Sequence, residues 1–444
     1  MSALNIAEDI IKLIKSRGVE GEVVLTQHET TSVTQRMMRL EEMTASSGRH
    51  VGIRVIVGKK YSCISSDDLD RSEELVDAAI RMAYLSPEDP FISISDQKGT
   101  YTNTASDLMI FDDSVIEMDT ICDILREMEG EALSVDSRIV NSEGASFSRS
   151  LMETALMTTR GFCGSYKKTY FSSSISVIAA SNDMKMEVDY SFAVKSKFSN
   201  LEKPRVLGRE AANRALRKLN ARELQTCKMP VLFENRAASS LLSNFASAIN
   251  GASIADKTSF LLDKLETNVF GSNIYIVDDP LMLSGISSRP FDGEGILSTK
   301  RNIVERGVLK SWILDMRTAK QLTLSTTGHA VRKENAYVSP GVSNFYIQRS
   351  DTTVQELMSD IKRGLYITDL FGFGINFATG DYSQGAFGYM IENGYITYPV
   401  HGITVAGNLL DMFSSAQVAN DLTFHRSVNS PTLMFDNIVI SGSS

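Results

Sequence analysis

The chain has 444 residues, 43% of them apolar, with a mean hydropathy of −0.08 and a formal net charge of −9. That length allows two or three cores, and its interspersed charges leave no basic stripe for phosphates, which argues against direct nucleic-acid binding. No segment reaches about 18 uninterrupted apolar residues, and Met1 to Arg17, with Glu8 and Asp9 inside it, lacks the order of a signal peptide.

The expected location is therefore the cytoplasm, with no membrane contact. Four cysteines, Cys63, Cys122, Cys163 and Cys227, are widely scattered and show no paired spacing. They are expected to be buried thiols in a reducing compartment.

In chain order, Ile6, Ile10, Leu13 and Ile14 mark a first amphipathic helix that ends at Gly18. Strand-like runs follow at Glu22 to Gln27, Ser32 to Leu40 and Val51 to Val57, the last before a Gly58-Lys59 turn. Asp70 and Glu73 form a candidate capping box for a helix over Leu75, Ala79 and Met82, and Ser114 and Glu117 form one for a helix through Ile121, Leu125 and Met128. Residues 88–113 between them have weak periodicity and suggest a connection. Beyond Val135 the period changes to two, at Arg138 to Val140, Ser148 to Arg160, Thr169 to Ala180 and Lys185 to Lys195, which predicts an antiparallel meander. A helix over about Pro204 to Asn220 follows.

The second half opens with a strand, Met229 to Phe233, and is otherwise short strands and glycine-bearing turns. Glu305-Arg306-Gly307 and Glu392-Asn393-Gly394 are hairpin signals, because glycine supplies the positive φ such turns need. Gly372, Gly374, Gly380, Gly385 and Gly388 punctuate one strand-like tract, a pattern that suggests a ligand or another main chain close by.

The stretch Arg236 to Gly251 is unlike its surroundings. On a helix, Leu241, Leu242, Phe245, Ala248 and Ile249 fall within one arc of roughly 120°. Ser239, Ser240, Ser243, Asn244, Ser247 and Asn250 occupy the opposite arc, and no charge lies between Arg236 and Asp256. Asn235 can cap its start and Gly251 can supply a left-handed stop. Small neutral side chains on both faces predict burial on both, one of them against another backbone or a narrow cleft. The fold class is thus α+β: an N-terminal helix-and-antiparallel-sheet domain over residues 1–222, then a β-rich domain over 223–444 built around one buried central helix, 236–251.

Catalytic patterns are scarce. His28, His50, His329, His401 and His425 are the only histidines and no two lie within twenty residues of each other, which excludes a helical His pair for a metal. No serine sits in a G-x-S-x-G elbow. His329 in Thr326-Thr327-Gly328-His329-Ala330, His401 beside Pro399, and the acidic turn Asp292-Gly293-Glu294-Gly295 are what remains for an independent hydrolytic site.

Several stretches nevertheless resemble one family. Ala248-Ile249-Asn250-Gly251-Ala252, Thr258-Ser259-Phe260-Leu261-Leu262-Asp263, Arg289-Pro290-Phe291-Asp292-Gly293-Glu294-Gly295, Ser325-Thr326-Thr327-Gly328-His329-Ala330, Thr379-Gly380-Asp381-Tyr382-Ser383 and Thr404-Val405-Ala406-Gly407-Asn408-Leu409-Leu410 are similar to the PmbA (TldE) branch of the TldD/TldE proteins. Gly48 to Val57 is similar to the family's G-x-x-V-G-x-R-V-x-V strand. The likeness spans nearly the whole chain.

The resemblance implies a division of labour. TldD-like chains resemble zinc peptidases with an H-E-x-x-x-H helix and a distant Cys ligand, whereas PmbA/TldE-like chains pair with them and lack that set. Aligned on the shared Leu-Leu, Ser243 and Asn244 stand at the first His and the Glu, and Ala248 at the second His. Phe424 to Ile440 contains no Cys.

No metal or cofactor is then expected in this chain, and zinc is expected in a TldD-like partner. The expected lining of a peptide groove is Ser247, Asn250, Gly251, Asp292, Glu294, His329, Gly380, Gly385 and Gly388, with an extended peptide adding to strand edges between Phe371 and Gly388. Expected partners are the TldD-like catalytic subunit, unfolded or small ribosomally made peptides, and a second copy of the chain when alone. A regulatory or binding module, suggested by the family's "modulator of DNA gyrase" label, is the other alternative to the independent hydrolase.

Overall fold

The computed structural model describes residues 2–102, 105–332 and 336–442. The N-terminal half runs α1 (Ala3–Ser16), β1 (Glu20–Arg36), β2 (Arg39–Val57), β3 (Lys60–Ser66), α2 (Ser72–Leu85), β4 (Gly99–Thr102), α3 (Ala105–Leu108), α4 (Met118–Ser134), β5 (Ile139–Thr158), β6 (Phe162–Ala180), β7 (Met186–Lys195) and α5 (Pro204–Lys218). The strands form one sheet in the order β3-β2-β1-β5-β6-β4, with β7 also on β6.

Val23, Leu25 and Val33 alternate onto one face of β1. α1 and α2 cover the first two of these residues together with Val51, Ile53 and Val55. α4 and α5 cover Val33 with Phe147, Phe171 and Ile175. The α4–α5 crossing is close because Gly208 has no Cβ, which would stand 2.1 Å from the Met128 carbonyl oxygen.

Four local expectations change. The run expected as a strand from Ser32 to Leu40 contains a tight turn at Met37-Met38, with φ values of 47° and 63°. Neither residue is of the Asn/Gly type that favours the left-handed region. The turn is held by Glu129 of α4, fully buried, whose carboxylate accepts from Met37 N (2.8 Å), Met38 N (2.7 Å) and Gln35 Nε2 (2.9 Å). Replacing the pair as Met37→Asn/Met38→Gly should therefore stabilise the chain by about 1–2 kcal/mol, read as a higher urea midpoint with an unchanged slope.

Neither capping box forms. Asp68 Oδ1 takes the Asp70 N–H, α2 has Arg71 at its N-cap with no side-chain hydrogen bond, and the Ser114 hydroxyl donates to Asp112. The segments expected separately at 138–140 and 148–160 are one strand, β5, continuous through two register shifts. Within the expected connection 88–113 lie β4 and α3.

The C-terminal half runs β8 (Cys227–Phe233), α6 (Asn235–Ala248), α7 (Gly251–Ala255), β9 (Ile276–Asp278), β10 (Arg301–Glu305), β11 (Val308–Leu309), α8 (Met316–Gln321), β12 (Ala330–Arg332), β13 (Val338–Pro340), β14 (Phe345–Ile347), α9 (Val354–Met358), β15 (Arg363–Phe371), β16 (Asp381–Glu392), β17 (Tyr395–Asn408), α10 (Leu409–Ser415), β18 (Gln417–Val418), β19 (Val428–Asn429) and β20 (Leu433–Ser441). The expected division at 222/223 falls in the connection between α5 and β8. Both predicted hairpin turns are present, with Arg306-Gly307 and Asn393-Gly394 at positive φ.

The main sheet runs β17-β16-β15-β8-β20-β18, and β17 pairs again with β20. β8, β15, β16, β17 and β20 thereby close into a ring through Thr404–Ala406 and Val439–Ser441, which leaves the strands inside it, β16 among them, with a neighbour on each side. The expected strand addition at Gly385 and Gly388 is overturned by this topology: β16 has β15 on one side and β17 on the other. Gly388 is there because a Cβ would stand 2.3 Å from the Tyr366 carbonyl oxygen.

The halves meet on the sheet face opposite the helices, where Phe291 packs on Phe162 and Tyr166. Charge is buried at this seam. Glu22 pairs with Arg54 at 2.6 Å and with Arg332, and Arg54 lies 3.6 Å from Glu294. Farther along, Lys168 Nζ donates to the Ile286 carbonyl at 2.9 Å. Burial, with Arg289 nearby, pushes the Lys168 ammonium down to about 7.

An amine with a depressed folded pKa contributes full stability above its unfolded value of about 10.4 and loses it as pH falls toward the folded value. Lys168→Met should thus gain about 2–4 kcal/mol at pH 7 and little at pH 10, a difference readable in paired urea titrations.

Candidate functional site

α6 follows β8 through Glu234, whose N–H donates to the Ile367 carbonyl at 2.8 Å. Its apolar arc, Ala237, Ala238, Leu241, Leu242, Phe245 and Ala248, is buried in the main C-terminal core. Phe245 is the centre of that contact, with ring centroids 5.0 Å from Phe270 and 5.6 Å from Phe413.

The polar arc differs from the expected burial on both faces. Ser240 and Ser247 are exposed, and Ser239, Ser243 and Asn244 half-buried. Ser239, Ser243 and Ser247 each donate a hydroxyl to the carbonyl four residues back, at 2.8, 2.9 and 3.0 Å. These serines spend their hydroxyl hydrogens along the helix; the Ser239 oxygen also accepts from Ser430 N at 3.1 Å.

The ends also depart from expectation. The helix begins at Asn235, with Glu234 rather than Asn235 at the cap. It stops at Ala248, and Asn250 caps the separate helix α7 by accepting from Ala252 N. Gly251 is no left-handed stop. It is the first residue of α7, and it is glycine because a Cβ would meet Thr318 Oγ1 at 2.6 Å and Leu314 Cδ2 at 2.7 Å.

At the N-terminal end of α6, Arg236 and Lys218 form a buried box with Asp189 and Asp369. Arg236 reaches Asp369 at 2.6 Å and Asp189 at 3.3 Å, and Lys218 reaches them at 3.1 and 2.8 Å. Burial pushes the Asp189 carboxyl up, but Arg236 and Lys218 outweigh it and hold the group below the usual range.

Beside the box a cleft of about 250 Å³ opens between the halves, lined by Tyr190, Phe192, Arg214, Asn235, Ser239 and His425 among others. His425 Nδ1 is buried there with no hydrogen-bond partner among the described residues. Burial, followed by Lys195, holds the His425 imidazole below its ordinary value. Nothing local in the sequence marks His425, because its neighbours Tyr190 and Arg214 come from β7 and α5, more than 200 residues away in the chain.

The remaining expected lining residues do not converge on α6. Asp292 is buried, its carboxylate accepting from Glu294 N, Ile296 N and Ala330 N, so the acidic Gly-rich turn is a closed loop. Glu294 is buried at the seam and accepts from Met316 N. Burial pushes the carboxyls of both Asp292 and Glu294 up. His329 is locked between Thr327 Oγ1 (2.8 Å) and Asp278 Oδ2 (3.1 Å) and is 2% exposed, which leaves an independent hydrolase no open nucleophile or base there.

Gly380 and Gly388 are buried as well, Gly380 against Phe260. Gly385 is half-buried, and Asn250 Nδ2 is used by the Pro340 carbonyl. The four cysteines are half-buried free thiols rather than fully buried ones.

Family models match three consecutive segments: the PmbA/TldA metallopeptidase domain 1 over residues 21–83, the central domain over 111–219 and the C-terminal domain over 226–442. The chain belongs to the PmbA/TldD metallopeptidase family. It is 34% identical to a metalloprotease PmbA homologue of Haemophilus influenzae, over 97% of this chain and 94% of that protein. It is 32% identical to metalloprotease PmbA of Escherichia coli O157:H7, over the same shares. A solved structure from Bacteroides thetaiotaomicron that carries a DNA-gyrase-modulator name has a TM-score of 0.90 at 26% identity, covering 99% of this chain and 98% of that one. TldE from Thermococcus kodakarensis, 18% identical, shares the fold with a TM-score of 0.86 over 98% of this chain and all of that one.

A PmbA/TldD-type metallopeptidase implies zinc, and the residues on α6 do not fit it. Ser243 spends its hydroxyl hydrogen on Ser239, Asn244 is a neutral amide, and Ala248 has no donor and faces the core. Among the described residues no three His, Cys, Asp or Glu side chains come together in a way that could hold a metal ion.

Proposed function

We propose that this PmbA/TldE-like chain is the non-catalytic subunit of a TldD/TldE-type zinc metallopeptidase, contributing one wall of a cavity for unfolded or small ribosomally made peptides. The observation that carries the proposal is the outward face of α6, where Ser240 and Ser247 are exposed and Ser243 and Asn244 half-buried, all of them small and neutral; the family resemblance puts Ser243 and Asn244, with Ala248, at the positions of a metal-binding helix. Such a face binds no cation and carries no general base, yet it offers a polar surface that an extended peptide can lie along whatever its sequence.

The catalytic residues and the zinc then belong to the TldD-like partner. Phe371 at the end of β15 and Phe373 in the β15–β16 connection are both exposed, the second wholly, and suit a protein contact. The net charge of −9 disfavours DNA contact as the basis of a gyrase-modulating role. Free thiols suit the reducing cytoplasm.

The test is to measure zinc content and peptide cleavage for the chain alone and after adding a TldD-like partner. The proposal expects cleavage only in the mixture, with the metal in the partner. Stoichiometric metal and turnover in this chain alone would overturn it. Ser247→Trp should lower turnover of the mixture at least tenfold with the melting curve unchanged, since Ser247 is exposed and its bulky replacement obstructs the wall rather than the core.

A further inference from the structure

The serine arc of α6 meets, at its N-terminal end, the cleft of about 250 Å³ between the halves, and Ser239 belongs to both. The segment that lines the cleft from the C-terminal side is held in one shape by a single buried side chain. Asn429 Oδ1 accepts from His425 N at 3.0 Å and from Arg426 N at 3.1 Å, while its Nδ2 donates to the Arg426 carbonyl at 2.6 Å. Ser430 N ties the same segment to Ser239. The backbone that brings His425 and Arg426 to the cleft is thus fixed although it is neither helix nor strand.

Among the described residues, three cations and one carboxylate line the cleft. Arg214 is paired with Glu210 at 2.7 Å, and Arg236 is held in the box by Asp189 and Asp369. Nearby, Lys195 is paired with Glu202 at 2.8 Å. Burial keeps the His425 imidazole below its ordinary value, so it adds no charge at neutral pH. Arg426 makes no ion pair among the described residues, and its guanidinium lies over the Phe192 ring, 4.9 Å from the centroid. One unpaired positive charge suits a monoanion, whereas a phosphate dianion would be left half compensated. The wall beside it is aromatic: Tyr190, Phe192 and the His425 ring, which stands 6.3 Å from Phe192. Such a wall takes an apolar group. At about 30 Å³ per water, the volume equals roughly eight water molecules, room for one residue and not for a length of peptide.

We infer that this cleft captures the C-terminal residue of a peptide: Arg426 takes the terminal carboxylate, and Tyr190, Phe192 and His425 surround an aromatic or large aliphatic side chain. The inference rests on the proposed peptide wall along α6, and it gives that wall a direction. A peptide lying on the serine arc ends, carboxylate first, at the start of the helix. The opposite direction would bring a terminal ammonium against Arg426, like charge against like.

The test is calorimetric titration of the full chain, without a partner, using acetyl-Ala-Ala-Ala-Phe, its C-terminal amide and acetyl-phenylalanine. The peptide acid should bind at least tenfold more tightly than the amide, because its charge-assisted hydrogen bonds are the strong ones. It should also bind more tightly than acetyl-phenylalanine, which cannot reach along the arc. Arg426→Gln, at an exposed position, should bring the acid down to the amide with the melting curve unchanged. Undetectable binding, equal binding of acid and amide, or a preference that survives Arg426→Gln would overturn the assignment. Equal binding of acetyl-phenylalanine would overturn the peptide terminus and give the cleft to a free small acid. No partner or zinc enters this measurement, so its failure is distinct from that of the proposed function. Loss of capture with cleavage by the mixture intact sinks the cleft alone, and capture without cleavage sinks the subunit role alone.

Discussion

Replacing Glu22 by glutamine is expected to lower the stability of the chain by about 3–5 kcal/mol, the usual cost of leaving buried charges without their partner. Glu22 is fully buried between Arg54 and Arg332, and both guanidinium groups are themselves almost inaccessible. Burial alone would push its carboxyl up, but Arg332 and then Arg54 outweigh burial and hold it below the usual carboxylate range. A carboxylate with a lowered folded pKa contributes stability above its unfolded value and loses it as pH falls through the folded one. The penalty of Glu22→Gln should accordingly be largest near neutrality and shrink in acid.

Because Glu22 lies on β1 and Arg332 on β12, the variant should also loosen the seam between the halves. Limited proteolysis near the junction would detect this. Glu20→Gln, two residues away in an exposed pair with Arg160, should change the urea midpoint by no more than about 0.5 kcal/mol. Equal effects at Glu20 and Glu22 would remove burial as the explanation.

Arg236→Met is the second large effect, again about 3–5 kcal/mol, and it reaches the site directly. Arg236 occupies the first turn of α6, where the helix dipole disfavours a cation. It is tolerated because Asp189 and Asp369 flank it on two sides. Without the guanidinium, two carboxylates share one ammonium, that of Lys218, and the helix start is no longer tied to β7 and β15. Turnover by the mixture with a TldD-like partner should fall together with the melting temperature. Arg236→Lys should recover less than half of the loss, since a single, less extended ammonium replaces two guanidinium nitrogens that each face a different carboxylate. A lysine variant indistinguishable from the natural chain would show that the fork geometry is immaterial.

Residue chemistry and spacing alone determined the α+β class, the helix with one serine-rich arc, the two glycine-dependent hairpins and the family likeness. These depend on local periodicity, on the φ angles glycine allows and on motifs contiguous in the chain. Local pattern was misleading at Met37-Met38, where a turn exists only because Glu129, some 90 residues on, supplies the acceptor. It was misleading again at both capping boxes, where Glu73 accepts from Arg17 and the Ser114 hydroxyl donates to Asp112 instead.

Tertiary structure alone decided which candidate residues are reachable. Asp292, Glu294, His329, Gly251, Gly380 and Gly388 look like site residues in sequence because polar and glycine motifs serve loop closure and close packing as readily as they serve chemistry. Whether a carboxylate meets backbone N–H groups or water, and whether a strand keeps a free edge, depends on which distant segments arrive beside it. That choice placed the accessible surface on the serine arc of α6 and in the cleft at its start, and closed it along β16.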